Sequence, residues 1–317
     1  MKRTVVMLAL LFGFAVFAQE PPFPQRGPLE ITVLFPAGSS ADVTARLLAD
    51  GMSRNLGQRV LVVNRPGAGG AIGYKHVASQ KPDGYSLVWN SNSISTTFHS
   101  GQLNFDYRAF DAVARVLSES VVLAVRTDAP WRTLTELIAE AKAKPKTISV
   151  GHSGVGSHTH ISAAALFAAT GVEVNEVPFA AAQVVPSLVG GHVQAVVQFP
   201  AALAAPLSQK QIRLLVALTQ TRDPAWPDVP TARELGFDVT LDAWRGIAVP
   251  RGTPPQVISA LENAIRTTTS SPEFISAAEK LGVRPAFLPA QDFSVLVAKE
   301  DAELSRQLQA IGLKKQP

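Results

Sequence analysis

The chain has 317 residues, 46% hydrophobic and 17% charged, with a formal net charge of 29 − 25 = +4 and no cysteine. That balance is too apolar for intrinsic disorder, and the length exceeds what one hydrophobic core usually serves, so two lobes are expected. The missing thiols exclude disulfides, thiolate metal sites and cysteine nucleophiles, and unclustered basic residues with 7% aromatics exclude a nucleic-acid-binding stripe.

In chain order, Lys2 and Arg3 precede an apolar run from Val5 to Ala18. The run is shorter than the roughly 20 residues that span a bilayer. Residues 1–18 therefore read as a secretory signal peptide, and the protein is expected in the periplasm. Residues 19–28 carry four prolines and read as an extended lead-in. The pattern then predicts a strand over 29–35, a helix over 42–56 stopped by Gly57, and a strand over 60–63. A glycine-rich segment (64–73) and a helix to Ser79 follow. Strands are predicted over 85–89, 121–125 and 147–150, with a helix over 133–143. A Gly/Ser/His loop leads into a helix over 161–169. Later strands are predicted over 193–199, 213–218 and 246–249, and helices over 255–268, 272–281 and 290–311. This alternation predicts an α/β class with mainly parallel sheets. Two strand–loop–helix units, opening near Ile31 and Ile148, would face each other across a cleft at their strand carboxyl ends.

Two loops could carry chemistry. Residues 35–42 (Phe35, Pro36, Ala37, Gly38, Ser39, Ser40, Ala41, Asp42) let the backbone approach a ligand, and the free N–H groups of the following helix favour an anion. The same residues also suit a merely capped turn, with Asp42 as the cap. Residues 151–160 repeat the arrangement, with Ser157 or Thr159 available as cap and hydroxyl donor. Three of the six histidines lie here. His158 and His160 point to different sides of a starting helix, and no carboxylate completes a ligand set, so no metal is expected. One histidine is expected to face the cleft and one to be packed. Arg245 offers a fork matched to a carboxylate, or an ion pair between lobes. Arg46 lies four residues after Asp42, which suits an i,i+4 pair. Several motifs fail: Ile72 spoils the dinucleotide pattern in 67–73, and Val155 replaces the last glycine of a nucleophile elbow.

The chain resembles the extracytoplasmic substrate-binding proteins of tripartite tricarboxylate transporters, the Bug family. The matching segments are 35–42, the Asn64-Arg65-Pro66-Gly67-Ala68-Gly69-Gly70 run with Ile72-Gly73, 82–85, 154–157 with His160, 177–179, 190–193, 227–231, and Trp244-Arg245-Gly246 to 252–254. They occur in family order over nearly the whole mature chain. The resemblance implies a two-lobed periplasmic binding protein fold (type II), each lobe a mainly parallel sheet flanked by helices. Lobe 1 is expected over 28–125 and 247–317, lobe 2 over 126–246. It implies a non-catalytic receptor that captures a small carboxylate, di- or tricarboxylate-like, and delivers it to a tripartite-type membrane permease. No cofactor is implied, and a monomer is expected. The candidate ligand-binding residues are Phe35, Gly38, Ser39, Ser40, Asp42, Ser91, Asn92, Gly156, Ser157, His158, Thr159, Phe179, Gln198 and Arg245. Gln194 and Gln198 stand where acidic residues are frequent, which disfavours an amine ligand. Two other readings stay open: an exported serine hydrolase using Ser153 or Ser157 with His158 or His160, and a ligand-sensing subunit of a signalling system.

Overall fold

The computed structural model describes residues 21–310, 312, 314 and 315. The expected signal peptide lies outside them. The strands are β1 (Leu29–Val33), β2 (Val60–Asn64), β3 (Ser86–Ser91), β4 (Phe110–Ser120), β5 (Val122–Arg126), β6 (Ser149–His152), β7 (Asn175–Pro178), β8 (Ala195–Gln198), β9 (Ile212–Ala217), β10 (Asp242–Pro250) and β11 (Arg284–Pro289). The helices are α1 (Ser40–Leu56), α2 (Ala71–Ala78), α3 (Ser93–His99), α4 (Leu134–Ala143), α5 (His158–Thr170), α6 (Val184–Val189), α7 (Pro200–Ser208), α8 (Pro255–Thr269), α9 (Pro272–Lys280) and α10 (Ala290–Ala310).

The strands form two sheets, ordered β11-β4-β10-β3-β1-β2 and β7-β6-β8-β5-β9. Both use one plan. Three parallel strands lie in the order second, first, third, and a strand arriving from the other half of the chain is inserted antiparallel beside the third. That inserted strand is β10 in the first sheet and β5 in the second. Strands β4 and β5 are separated by Val121 alone, so one extended ribbon passes from sheet to sheet. The expected lobe limits, 125/126 and 246/247, therefore fall inside β5 and β10 rather than between the sheets. Each sheet packs its own apolar core, one around Leu48, Trp89 and Ile265, the other around Leu137, Val197 and Leu166.

Local signals explain most of these elements. Helix α1 starts at Ser39, whose Oγ accepts the Asp42 N–H, and stops at Gly57 in a left-handed conformation that glycine adopts without penalty. Helix α4 opens with a capping box between Thr133 and Glu136. The pattern missed β4, β7, β11, α3, α6 and α7. Strand β4 is the instructive case: Arg115 and Glu119 interrupt its apolar run, yet Glu119 is fully buried. Among the described residues, no helix is long and apolar enough to cross a membrane.

Candidate functional site

The residues that follow the carboxyl ends of β1, β3, β6 and β8 meet around one narrow cavity. Phe35 and Ser39–Ala41 come from the β1–α1 turn, Ser91–Ser93 from the β3–α3 turn, Ser153 and Ser157–Thr159 from the β6–α5 loop, and Gln198 and Phe199 from the end of β8. Ala181, Ala243 and Arg245 complete the wall. Water centres have about 40 Å³ inside it, space for roughly three waters at 10–15 Å³ each. That suits a small guest gripped from both sides.

Two helices aim their starts at this space in the same way. In α1, the Asp42 N–H donates to Ser39 Oγ (3.3 Å) and the Val43 N–H to the Ser39 carbonyl (3.0 Å). The N–H groups of Ser40 and Ala41 then have no acceptor among the described residues. In α5, the His160 N–H donates to Ser157 Oγ (3.2 Å) and the Ile161 N–H to the Ser157 carbonyl (3.0 Å), which leaves the N–H groups of His158 and Thr159 equally unengaged. These are the orphan donors of any helix start, and the helix dipole adds partial positive charge there. Thr159 is itself held, because its Oγ1 accepts the Ser153 N–H (2.9 Å) and lies 3.1 Å from Ser157 Oγ.

Arg245 supplies the one charged side chain on the wall. A bulge in the β10–β4 pairing falls between Arg245 and Gly246, a device that re-aims a side chain. Its Nε donates to Glu119 Oε2 at 2.8 Å, and Ser40 Oγ donates to the other Glu119 oxygen. Its guanidinium carbon lies 5.1 Å from the Phe199 ring centre. The expected ion pair forms, but between neighbouring strands of one sheet, β10 and β4, rather than between lobes. The Nε serves a buried ion pair, while Nη1 and Nη2 make no hydrogen bond among the described residues and remain free for a carboxylate. Glu119, absent from the sequence expectations, sets the orientation of this fork.

The histidine question resolves geometrically. His158 lines the cavity, stacked parallel to Phe199 (14°, centroids 5.9 Å apart), with Nε2 donating to the Leu241 carbonyl at 3.3 Å. Burial pushes its pKa down to about 4, so it stays neutral. His160 turns away: it stacks on His152 (4.5 Å), accepts the Gly156 N–H on Nδ1 (3.0 Å), and pairs with Glu176 at 3.5 Å. Neither Ser153 nor Ser157 hydrogen-bonds a histidine side chain among the described residues. Ser153 Oγ accepts from Gln198 Nε2 (3.1 Å), and no nucleophile–base pair is formed. No group of three or more His, Asp or Glu among the described residues is placed to hold a metal.

Ten of the fourteen candidates line the cavity: Phe35, Ser39, Ser40, Ser91, Asn92, Ser157, His158, Thr159, Gln198 and Arg245. The two side-chain amides among these are committed to protein. Asn92 donates to Glu300 (2.6 Å) and accepts the Trp244 N–H (3.1 Å), while Gln198 donates to Ser153 and accepts the Phe199 N–H (2.8 Å). Four candidates lie off the wall. Asp42 turns back on its own loop, accepting from Arg46 (2.8 Å), Asn64 (2.9 Å) and the Gly38 N–H (3.1 Å). Burial raises its pKa, but these hydrogen bonds outweigh burial and hold it below the usual range. Gly38 is occupied by that contact and Gly156 by His160. The Phe179 ring packs over Gly151, where an added Cβ would meet it at 3.2 Å. Ala41, Ser93, Ser153, Ala181, Phe199 and Ala243 were missed. Ser153 entered the sequence reading only as a possible nucleophile; Ala41, Ser93 and Phe199 lie next to candidate residues, whereas Ala181 and Ala243 carry no chemical signal.

The chain is similar in sequence and fold to known proteins. Residues 44–313 match the family model described as tripartite tricarboxylate transporter family receptor. The UPF0065 protein in the gbd 5′ region of Cupriavidus necator is 30% identical over 300 residues, covering 94% of this chain and 91% of the relative. The periplasmic binding protein BugD superposes with a TM-score of 0.86 at 26% identity, over 93% of this chain and 100% of its own. An R. palustris protein solved with adipate gives a TM-score of 0.87 at 26% identity, over 92% of this chain and 98% of its own.

Proposed function

The chain belongs to the tripartite tricarboxylate transporter receptor family, and from that premise we propose that it is an extracytoplasmic receptor that closes its two lobes on a small carboxylate and hands it to the membrane permease of a tripartite transporter. The observation that carries this reading is the convergence of the α1 and α5 starts, one from each sheet, on the space that the Arg245 fork also faces. Four unengaged N–H groups and two guanidinium nitrogens offer up to six donors. Hydrogen bonds to a charged group contribute about 1.5–3 kcal/mol each, and micromolar affinity needs about 8 kcal/mol. Four such bonds suffice with a margin for ordering and closure. Because the donors come from both lobes, a bound anion favours the closed form over the open one. The di-acid held by the R. palustris neighbour supports the ligand class. The receptor is expected to act as a monomer, with the ribbon through Val121 and the start of β10 as its hinge.

A thermal-shift screen against mono-, di- and tricarboxylates tests the proposal. Stabilisation by a subset, lost in Arg245→Ala, is the expected result. No stabilisation by any carboxylate would defeat it.

A further inference from the structure

The carboxylate is one end of a ligand, and the walls say what the rest of it is. This inference rests on the receptor reading above. Beside the cavity lies a wider space of about 370 Å³ for water centres, the two sharing Phe35, Ser153 and Ala181 as a common wall. The second space lies between residues 34–36 and 66–70 on one side and Ala180–Ala181 on the other. These are leucine, phenylalanine, prolines, glycines and alanines, and no charged side chain lines the space. In the first cavity Arg245 is the sole cation, and Glu119 already offsets its charge from behind.

The positive potential on offer is therefore small and local. Two helix starts contribute roughly half a charge each, enough for one carboxylate. A second carboxylate on the same ligand would enter a slot that has no cation to replace its water, and an unpaired charge is costly to desolvate. An uncharged body gains from the same slot, since Phe35, Phe199, Ala41 and Ala181 offer it apolar contact. We infer that this receptor selects a monocarboxylate: one carboxylate at the two helix starts, on an uncharged, largely apolar body that runs past Ala181 toward the 66–70 loop. That narrows the ligand class away from the di- or tricarboxylate the family resemblance suggests.

Isothermal titration of the mature protein with matched pairs tests this: butyrate and succinate, hexanoate and adipate, octanoate and suberate, benzoate and terephthalate, all at one salt concentration. In every pair that binds, the mono-acid is expected to bind at least tenfold more tightly. A di-acid that equals or exceeds its partner overturns the inference and leaves the receptor reading standing. Binding by no member of either column overturns the receptor reading itself, and the inference with it. A second arm uses Ala181→Lys, which places a cation on the shared wall. It is expected to shift the di-acid to mono-acid affinity ratio at least tenfold toward the di-acid. An unchanged ratio in a folded variant would show that the far end of the ligand does not pass Ala181.

Discussion

Glu119→Gln is expected to weaken the fold and strengthen carboxylate binding at once. Glu119 and Arg245 are 0% and 4% exposed, and their 2.8 Å contact is a buried ion pair. Removing one charge from such a pair costs about 3–5 kcal/mol, because the remaining charge is left without its partner. Gln keeps the shape and one oxygen for Arg245 Nε, and the Ser40 hydroxyl can rotate to accept from the new amide. The loss is therefore placed near the lower end, about 3 kcal/mol. For the ligand the sign reverses. A carboxylate on the free guanidinium nitrogens sits across the fork from Glu119, and two like charges roughly 7 Å apart at an effective dielectric of about 20 repel by about 2.4 kcal/mol. Even with partial screening, removing that repulsion is expected to tighten binding by about tenfold, or 1.4 kcal/mol. Urea denaturation measures the first effect, and calorimetric titration with a carboxylate that binds the wild type measures the second. A variant that is less stable yet binds no more tightly would refute the assignment of Arg245 to the ligand.

Arg245→Lys keeps the charge but loses the fork, and is expected to lower affinity at least tenfold while Tm falls, as titration and calorimetry would show. Ser39→Ala and Ser157→Ala each remove a helix cap and are expected to cost about 1 kcal/mol by urea denaturation. Gly246→Ala would drive a Cβ to 2.6 Å from the Ala114 carbonyl and 2.5 Å from the Phe293 ring, so a loss of about 1–3 kcal/mol or more is expected, with α10 loosened in hydrogen exchange. The pH profile separates buried groups of opposite sign. Burial pushes His152 and His158 down to about 4, so the unfolded chain takes up protons first and stability falls as pH drops from about 6.5 to 4. Burial pushes Glu300 up to about 7, so its contribution falls as pH rises from about 4.5 to 7. In Glu300→Gln the second effect is gone, and Tm is expected to rise more steeply with pH over 4.5–6.5 than in wild type; an unchanged slope would contradict it.

The parts of this protein legible from sequence are those set within a few residues of the chain. The α1 and α5 starts could be read to within two or three residues, because a small-residue loop runs into a helical apolar stripe, but Ser39 rather than the expected Asp42 caps α1. The alternation of strand and helix was equally visible, so the α/β class followed, and ten of the fourteen candidate residues reached the cavity wall. Chain length and the two strand–loop–helix units pointed to two lobes, and the family resemblance then supplied their limits and fold type.

Tertiary structure decided the rest. Asp42 looked like a cleft residue, but Arg46 and Asn64 hold it on its own loop. His158 and His160 are indistinguishable on paper, and Phe199 and Leu241 on one side and Glu176 on the other determine which one lines the cavity. Strand β4 stayed invisible because a glutamate inside a strand argues for solvent until its partners are known. Those partners are Ser40, 79 residues away, and Arg245, 126 residues away. Local propensity reports on neighbours along the chain, whereas the charge balance of a buried site depends on groups that only folding brings within hydrogen-bonding distance.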